Sequence, residues 1–127
     1  MPHRLTLDPL DGTFAICRLE SGSPVPAWAA GAFVSVTRTA EELSVVCAEA
    51  GVPEGVRCER GWRAWRIAGT FDLNTATGVL ASVTGPLAEA GIGLFAVSTF
   101  DTDYLLVKAE NAARAAEALR PHGHTVE

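Results

Sequence analysis

The chain is poor in positive charge. It has 10 Lys and Arg against 15 Asp and Glu, a formal net charge of −5, and the basic residues are scattered along its length. That balance excludes the basic footprint of a nucleic-acid-binding surface. It also gives no pull toward an anionic membrane. Long apolar runs are missing, since none approaches the roughly 18 residues of a membrane span. The opening Met1-Pro2-His3-Arg4-Leu5 alternates and soon reaches Asp8, without the apolar segment of about 7–15 residues that a secretory leader needs. The expected location is the cytoplasm, with no membrane partner. Cysteine is scarce too. Cys17, Cys47 and Cys58 are odd in number and far apart, which excludes a CxxC site and a disulfide framework. Cys17 and Cys47, inside apparent strands, read as small buried hydrophobes, and Cys58 as a surface thiol.

Catalytic signatures are also lacking. There is no GxSxG elbow, P-loop, HExxH or dinucleotide fingerprint. Gly91-Ile92-Gly93 follows a helix and precedes a strand, the wrong order for the last of these. His3, His122 and His124 sit near the two ends without a Cys or acidic partner at ligand spacing. They read as solvated, and neither a metal nor another cofactor is implied.

What remains is ample for a core. The chain has 127 residues and is 48% hydrophobic, the composition of a folded domain. The first half reads as short strands. Arg4–Leu7 is an edge strand and Asp8–Gly12 a turn. Thr13–Leu19 is a strand, Glu20–Pro26 a loop, and Ala27–Ala30 one helical turn behind Pro26. Phe33–Arg38 alternates apolar and polar, the mark of a half-buried strand. Thr39 and Glu42 form a capping box opening a very short helix, and Leu43–Ala48 is a strand. The stretch from Ala50 to Gly61 is polar and charged, and reads as the connection between halves.

The second half is clearer. Trp62–Ala68 is a strand, Gly69–Thr77 a loop and Gly78–Ala90 a helix. The helix has Thr77 as its cap, is bent at Pro86 and stops at Gly91. Ile92–Ser98 and Tyr104–Lys108 form a hairpin. Glu110–Arg120 is an amphipathic helix closed by Pro121, and His124–Val126 a last strand. The order β-α-β-β-α-β is that of the ferredoxin-like split βαβ. The first half repeats it in degenerate form. Trp62 and Trp65, three apart on a strand, face opposite sides, one in the core and one toward an interface.

Function is expected where polar groups meet rigid elements. The start of the first helix near Gly78 leaves free N–H groups, a natural seat for a carboxylate or phosphate. In the run Ser98-Thr99-Phe100-Asp101-Thr102-Asp103, Asp101 reads as a solvated turn residue. Asp103 leads straight into a strand, where it either receives an ammonium or guanidinium group or caps the turn.

The run GVLASVTGPLAEAGIGLFAVSTFDTDYLLV (Gly78–Val107) resembles the tandem ACT-domain family. Its members are similar to the regulatory part of aspartate kinase and to the CASTOR-type arginine sensors. The PLAEAGI helix end, the apolar strand and the STF-x-TD turn carry the resemblance. LDPLDGTFAICRL and FVSVTRTAEELSVVC extend it to the first half. The resemblance implies an α+β fold of two ferredoxin-like (βαββαβ) ACT modules packed side by side, residues 1–60 and 61–127, the first shortened. It implies a non-enzymatic regulatory protein that binds a free amino acid at a module interface. Backbone at Gly78, Val79 and Leu80 would hold the ligand's α-carboxylate or α-amine, and Thr99, Phe100 and Asp103 would complete the site. The loop FDLNTATG offers no glutamate near Gly78, where an arginine sensor would use one. With an edge strand at Arg4–Leu7 the chain is expected to form a homodimer, with a further protein partner to read the signal. The other reading is a dimerisation module with no ligand.

Overall fold

A computed structural model describes residues 3–72 and 76–127; Leu73, Asn74 and Thr75 of the expected Gly69–Thr77 loop, and the opening Met1 and Pro2, lie outside the described residues. The strands are β1 Thr6–Pro9, β2 Phe14–Leu19, β3 Ser35–Arg38, β4 Leu43–Ala48, β5 Cys58–Ile67, β6 Phe95–Ser98, β7 Asp103–Lys108 and β8 Thr125–Val126. The helices are α1 Ala81–Glu89 and α2 Ala112–Leu119. The chain divides into two compact units, Leu10–Trp62 and a second that joins the stretch ending at Pro9 to Arg63–Glu127.

The Leu10–Trp62 unit is an antiparallel sheet in the order β3-β4-β2-β5, the last contributing its first half. Alternation explains its core. Ala15 and Cys17 of β2 pack with Leu43, Val45 and Cys47 of β4, and Val52, Trp28 and Val56 close over them. Phe14 and Phe33 meet edge to face, centroids 6.5 Å apart. No α-helix forms among the described residues of this unit. At Ala27–Ala30 there is only a turn, closed by Ala29 N–H donating to Pro26 O (3.1 Å). The capping box expected at Thr39 also resolves differently. Thr39 Oγ1 does accept the N–H groups of Glu41 and Glu42 (both 3.1 Å), but Thr39 N–H donates to Glu42 O (2.9 Å). The four residues close the β3–β4 hairpin and leave no room for a helix.

β5 starts at Cys58, inside the stretch expected to connect the halves. Its polarity hides it, because the pairing that makes it a strand is with distant β2. Ala15 faces both Arg60 and Gly61, a bulge. Gly61 takes φ +80° there, which a side chain would resist. Cys58 is half-buried against the core rather than a free surface thiol.

In the other unit the strands run β6-β7-β5-β1-β8. From β5 to β8 the chain order is the expected β-α-β-β-α-β. β1 adds to it, lying between β5 (antiparallel, Leu7↔Ile67) and β8 (parallel, Thr6↔Thr125). The segment expected as an edge is therefore paired on both sides, and the argument for a homodimer drawn from it falls. Its apolar Leu5 and Leu7 share a core with Trp65, Ile67, Leu105 and Val107, covered by Val83 and Leu87 of α1 and Leu119 of α2. Trp65 is a core residue and Trp62 is half-buried.

α1 begins at Ala81, not Gly78, and Thr77 does not cap it. Gly78 has φ +75°, outside the helical region, so a turn precedes the helix. The end is as expected. Gly91 N–H donates to Ala88 O (3.0 Å) and Ile92 N–H to Leu87 O (2.9 Å), a Schellman cap. Pro86 has no N–H for the carbonyl four residues back, that of Ser82. His124 supplies the missing donor from Nε2 (2.9 Å), while its Nδ1 accepts the Leu5 N–H (3.1 Å). These partners fix the neutral Nε2–H tautomer. His124 is 4% exposed, which corrects the reading of a solvated terminal histidine.

His124→Leu is expected to orphan both backbone groups and cost roughly 2–4 kcal/mol in urea unfolding. Adding Pro86→Ala should recover about 1 kcal/mol by returning an N–H to the Ser82 carbonyl; no recovery refutes the pairing. Burial, aided by Cys47 and Cys58, pushes the Cys17 thiol from 9.0 up to about 12. The unfolded chain ionises first, so this contribution is complete below pH 9.0 and is lost as pH climbs toward about 12. Cys17→Ala should flatten the fall in stability across that window, by at most about 1.4 kcal/mol per pH unit.

Candidate functional site

The β6–β7 hairpin builds one wall of a cleft. Ser98 and Asp103 are its last pair, and four residues connect them. Thr99 N–H donates to Thr102 O (2.8 Å) and the Thr99 hydroxyl to the same oxygen (3.0 Å), so the turn is held from within. Thr102, 5% exposed, turns its hydroxyl inward to the carbonyl of Ile67 (2.6 Å) at the end of β5. One step on, Phe71 N–H donates to Asp101 O (2.7 Å). These two bonds fasten the turn to the chain that leaves β5. The space enclosed is about 130 Å³, lined by Phe71, Asp72, Ala76, Val79 and residues 98–103.

The lining is acidic. Asp72, Asp101 and Asp103 all reach it, and among the described residues that line it there is no Lys, Arg or His. The Ser98 hydroxyl donates to Asp103 Oδ1 (2.5 Å), which orients that carboxylate. Such a cleft is suited to an ammonium or guanidinium group, which gains charge-assisted hydrogen bonds there. Among the described residues, the N–H groups of Val79, Leu80 and Ala81 donate to no other residue.

Of the residues singled out from sequence, Val79, Thr99, Phe100 and Asp103 line this one cleft. Gly78 and Leu80 do not; a side chain at Gly78 would instead meet the His3 ring, 3.9 Å away. Asp101 is an exposed turn residue as read, yet it also lines the cleft and its carbonyl anchors Phe71. Sequence reasoning placed Ser98 and Thr102 in the polar junction without their partners, and missed Phe71. The partner of Ser98 was findable, because a four-residue turn sets it opposite Asp103. That of Thr102 was not, because it lies 35 positions away. Among the described residues no cluster of His, Cys, Asp and Glu is arranged to hold a metal, and no helix is long and apolar enough to cross a membrane.

Comparison with known proteins bears on this architecture. The ACT domain profile matches residues 57–121, and a second profile, describing an N-terminal domain, matches residues 12–55. No curated protein matches the chain. Among solved structures, a protein from Agobacterium tumefaciens is 42% identical, with a TM-score of 0.92 over 98% of this chain and 93% of its own. The regulatory subunit of aspartate kinase from Thermus thermophilus, in ligand-free form, is 12% identical, with a TM-score of 0.59 over 96% of this chain and 99% of its own. Aspartokinase III of E. coli, in complex with aspartate and ADP, is 14% identical, with a TM-score of 0.61 over 93% of this chain and 32% of its own. At these lower identities the likeness is one of fold. The profile match covers over half of the sequence and falls on the βαββαβ unit, so the chain belongs to the ACT domain family.

Proposed function

We propose that this is a non-enzymatic regulatory protein that binds a free amino acid in the cleft between Val79 and the β6–β7 turn. The observation that carries the reading is the meeting of Asp103, oriented by Ser98, with the turn that precedes α1. Asp103 receives the ligand's cationic group. Thr99 and Phe100 flank it, and the backbone of Val79, just ahead of α1, faces its carboxylate, where a helix start favours negative charge. The fold likeness to an aspartate kinase regulatory subunit and to an aspartokinase crystallised with aspartate supports a regulatory role over a catalytic one. In this reading residues 1–60 and 61–127 act as two ACT modules, the first shortened, in a cytoplasmic homodimer whose ligand changes its hold on a protein partner. A second reading, a dimerisation module without ligand, is favoured by Phe100, 81% exposed at the tip of the turn.

Thermal unfolding in millimolar amounts of each proteinogenic amino acid separates the two. One or a few should raise Tm; at a hundred times Kd the gain is about 2.7 kcal/mol, roughly 5–15 °C for a domain of this size. Asp103→Asn should remove that shift while leaving the unliganded Tm within a few degrees. If no amino acid moves Tm, ligand binding is refuted. If Phe100→Ala then also dissociates an oligomer seen by light scattering, the second reading stands.

A further inference from the structure

The three cysteines, far apart in sequence, are gathered in the Leu10–Trp62 unit around one sulfur. Cys17 of β2 lies directly opposite Cys58 of β5. The next pair along, Arg18 and Arg57, is hydrogen-bonded, with Arg18 N–H donating to Arg57 O (2.9 Å). In an antiparallel ladder the two kinds of pair alternate, so Cys17 and Cys58 occupy a non-hydrogen-bonded pair. There the Cα atoms approach to about 4.5 Å and the side chains are closest. That separation lies within the range of about 4.4–6.8 Å that a disulfide spans.

The other pairings are worse placed. Cys17 faces Val45 across β4, and Ala15 faces Cys47, so Cys17 and Cys47 are diagonal neighbours. Diagonal Cα atoms are about 7–8 Å apart, beyond easy bridging. Cys47 and Cys58 have β2 between them, two strand spacings or about 9.5 Å.

We propose that Cys17 and Cys58 form a redox-active dithiol that a hydroperoxide closes to a cross-strand disulfide. Cys58, half-buried where Cys17 and Cys47 are fully buried, is the sulfur that peroxide reaches first. Its thiolate attacks a peroxide oxygen and the O–O bond breaks. Cys58 becomes a sulfenic acid, and the other oxygen leaves as hydroxide, which takes up the proton released by the Cys58 thiol and becomes the first water. Cys17, kept protonated by burial, is the resolving partner. Its sulfur attacks the Cys58 sulfur and the S–O bond breaks. The departing hydroxide takes up the Cys17 proton as a second water. Two thiols lose two electrons, and one hydrogen peroxide becomes two waters. A thiol reductant reverses the change by exchange. The bond would staple β2 to β5 and stiffen the unit.

The test is mild treatment of the full chain with hydrogen peroxide, then intact mass and tryptic mapping without reductant. The expected result is a loss of about 2 Da, reversed by dithiothreitol, with the peptide Leu5–Arg18 joined to Cys58–Arg60 and Thr39–Arg57 left free. Tm should rise by roughly 5–10 °C on oxidation. Cys47→Ser should keep the link and Cys17→Ser lose it; should either variant fold poorly, the wild-type map decides. A link through Cys47, a link between chains, oxygen addition at Cys58 alone or no change in mass each overturns the proposal.

Discussion

A proline without an N–H sets the terms for the unit that carries the cleft. Pro86 leaves the Ser82 carbonyl of α1 without its helical donor. A bare carbonyl there would carry the desolvation penalty of an unmade bond. His124 closes the gap from one ring nitrogen and holds the Leu5 amide with the other. One neutral imidazole thus joins the helix to the residues entering β1 and β8, the two strands that complete the sheet beside β5. Leu5, Leu7 and Val126 reach the core because of that placement, and Val79, in the turn that precedes the same helix, is carried to the cleft.

The cleft depends in turn on a second buried polar contact. Thr102 places its hydroxyl on the Ile67 carbonyl, so the β6–β7 turn is fixed to the end of β5 and not left to move on the hairpin. Asp103 is therefore presented by a strand whose residues Leu105 to Val107 are fully buried. A carboxylate on such a base is oriented by the fold itself, and preorganisation of this kind lowers the cost of any binding.

What the sequence disclosed follows the range of the interactions involved. β4 was legible to its ends because LSVVCA is a short, mostly apolar run with two adjacent valines, and the β6–β7 hairpin because its turn is short. The Schellman stop at Gly91 was legible because it needs one glycine in the right place. What escaped was non-local. β5 begins in a charged segment that is a strand only by virtue of β2. β1 resembled an edge because its parallel partner lies at the far end of the chain. The short helix expected at Thr39 gave way to hairpin geometry, with Thr39 still using the hydroxyl that suggested a cap. The start of α1 slipped because Gly78 was read as a helix opening when its φ makes it a turn. At the cleft, Val79, Thr99, Phe100 and Asp103 were named by the family resemblance and line one cavity, whereas Thr102 and Phe71 owe their places to contacts across the unit.

The parallel pairing of Thr6 with Thr125 and of Leu7 with Val126 has a bearing on biosynthesis. A chain emerging from the ribosome exposes β1 long before its parallel partner, because β8 is not made until translation has passed residue 126. Through that interval Leu7 sits on an unfinished surface, a template for any extended peptide nearby. The unit can therefore close only after translation has passed β8, and a contact of such long sequence separation is slow to form. A cell making this protein quickly would need its nascent chains spaced apart or shielded until that point.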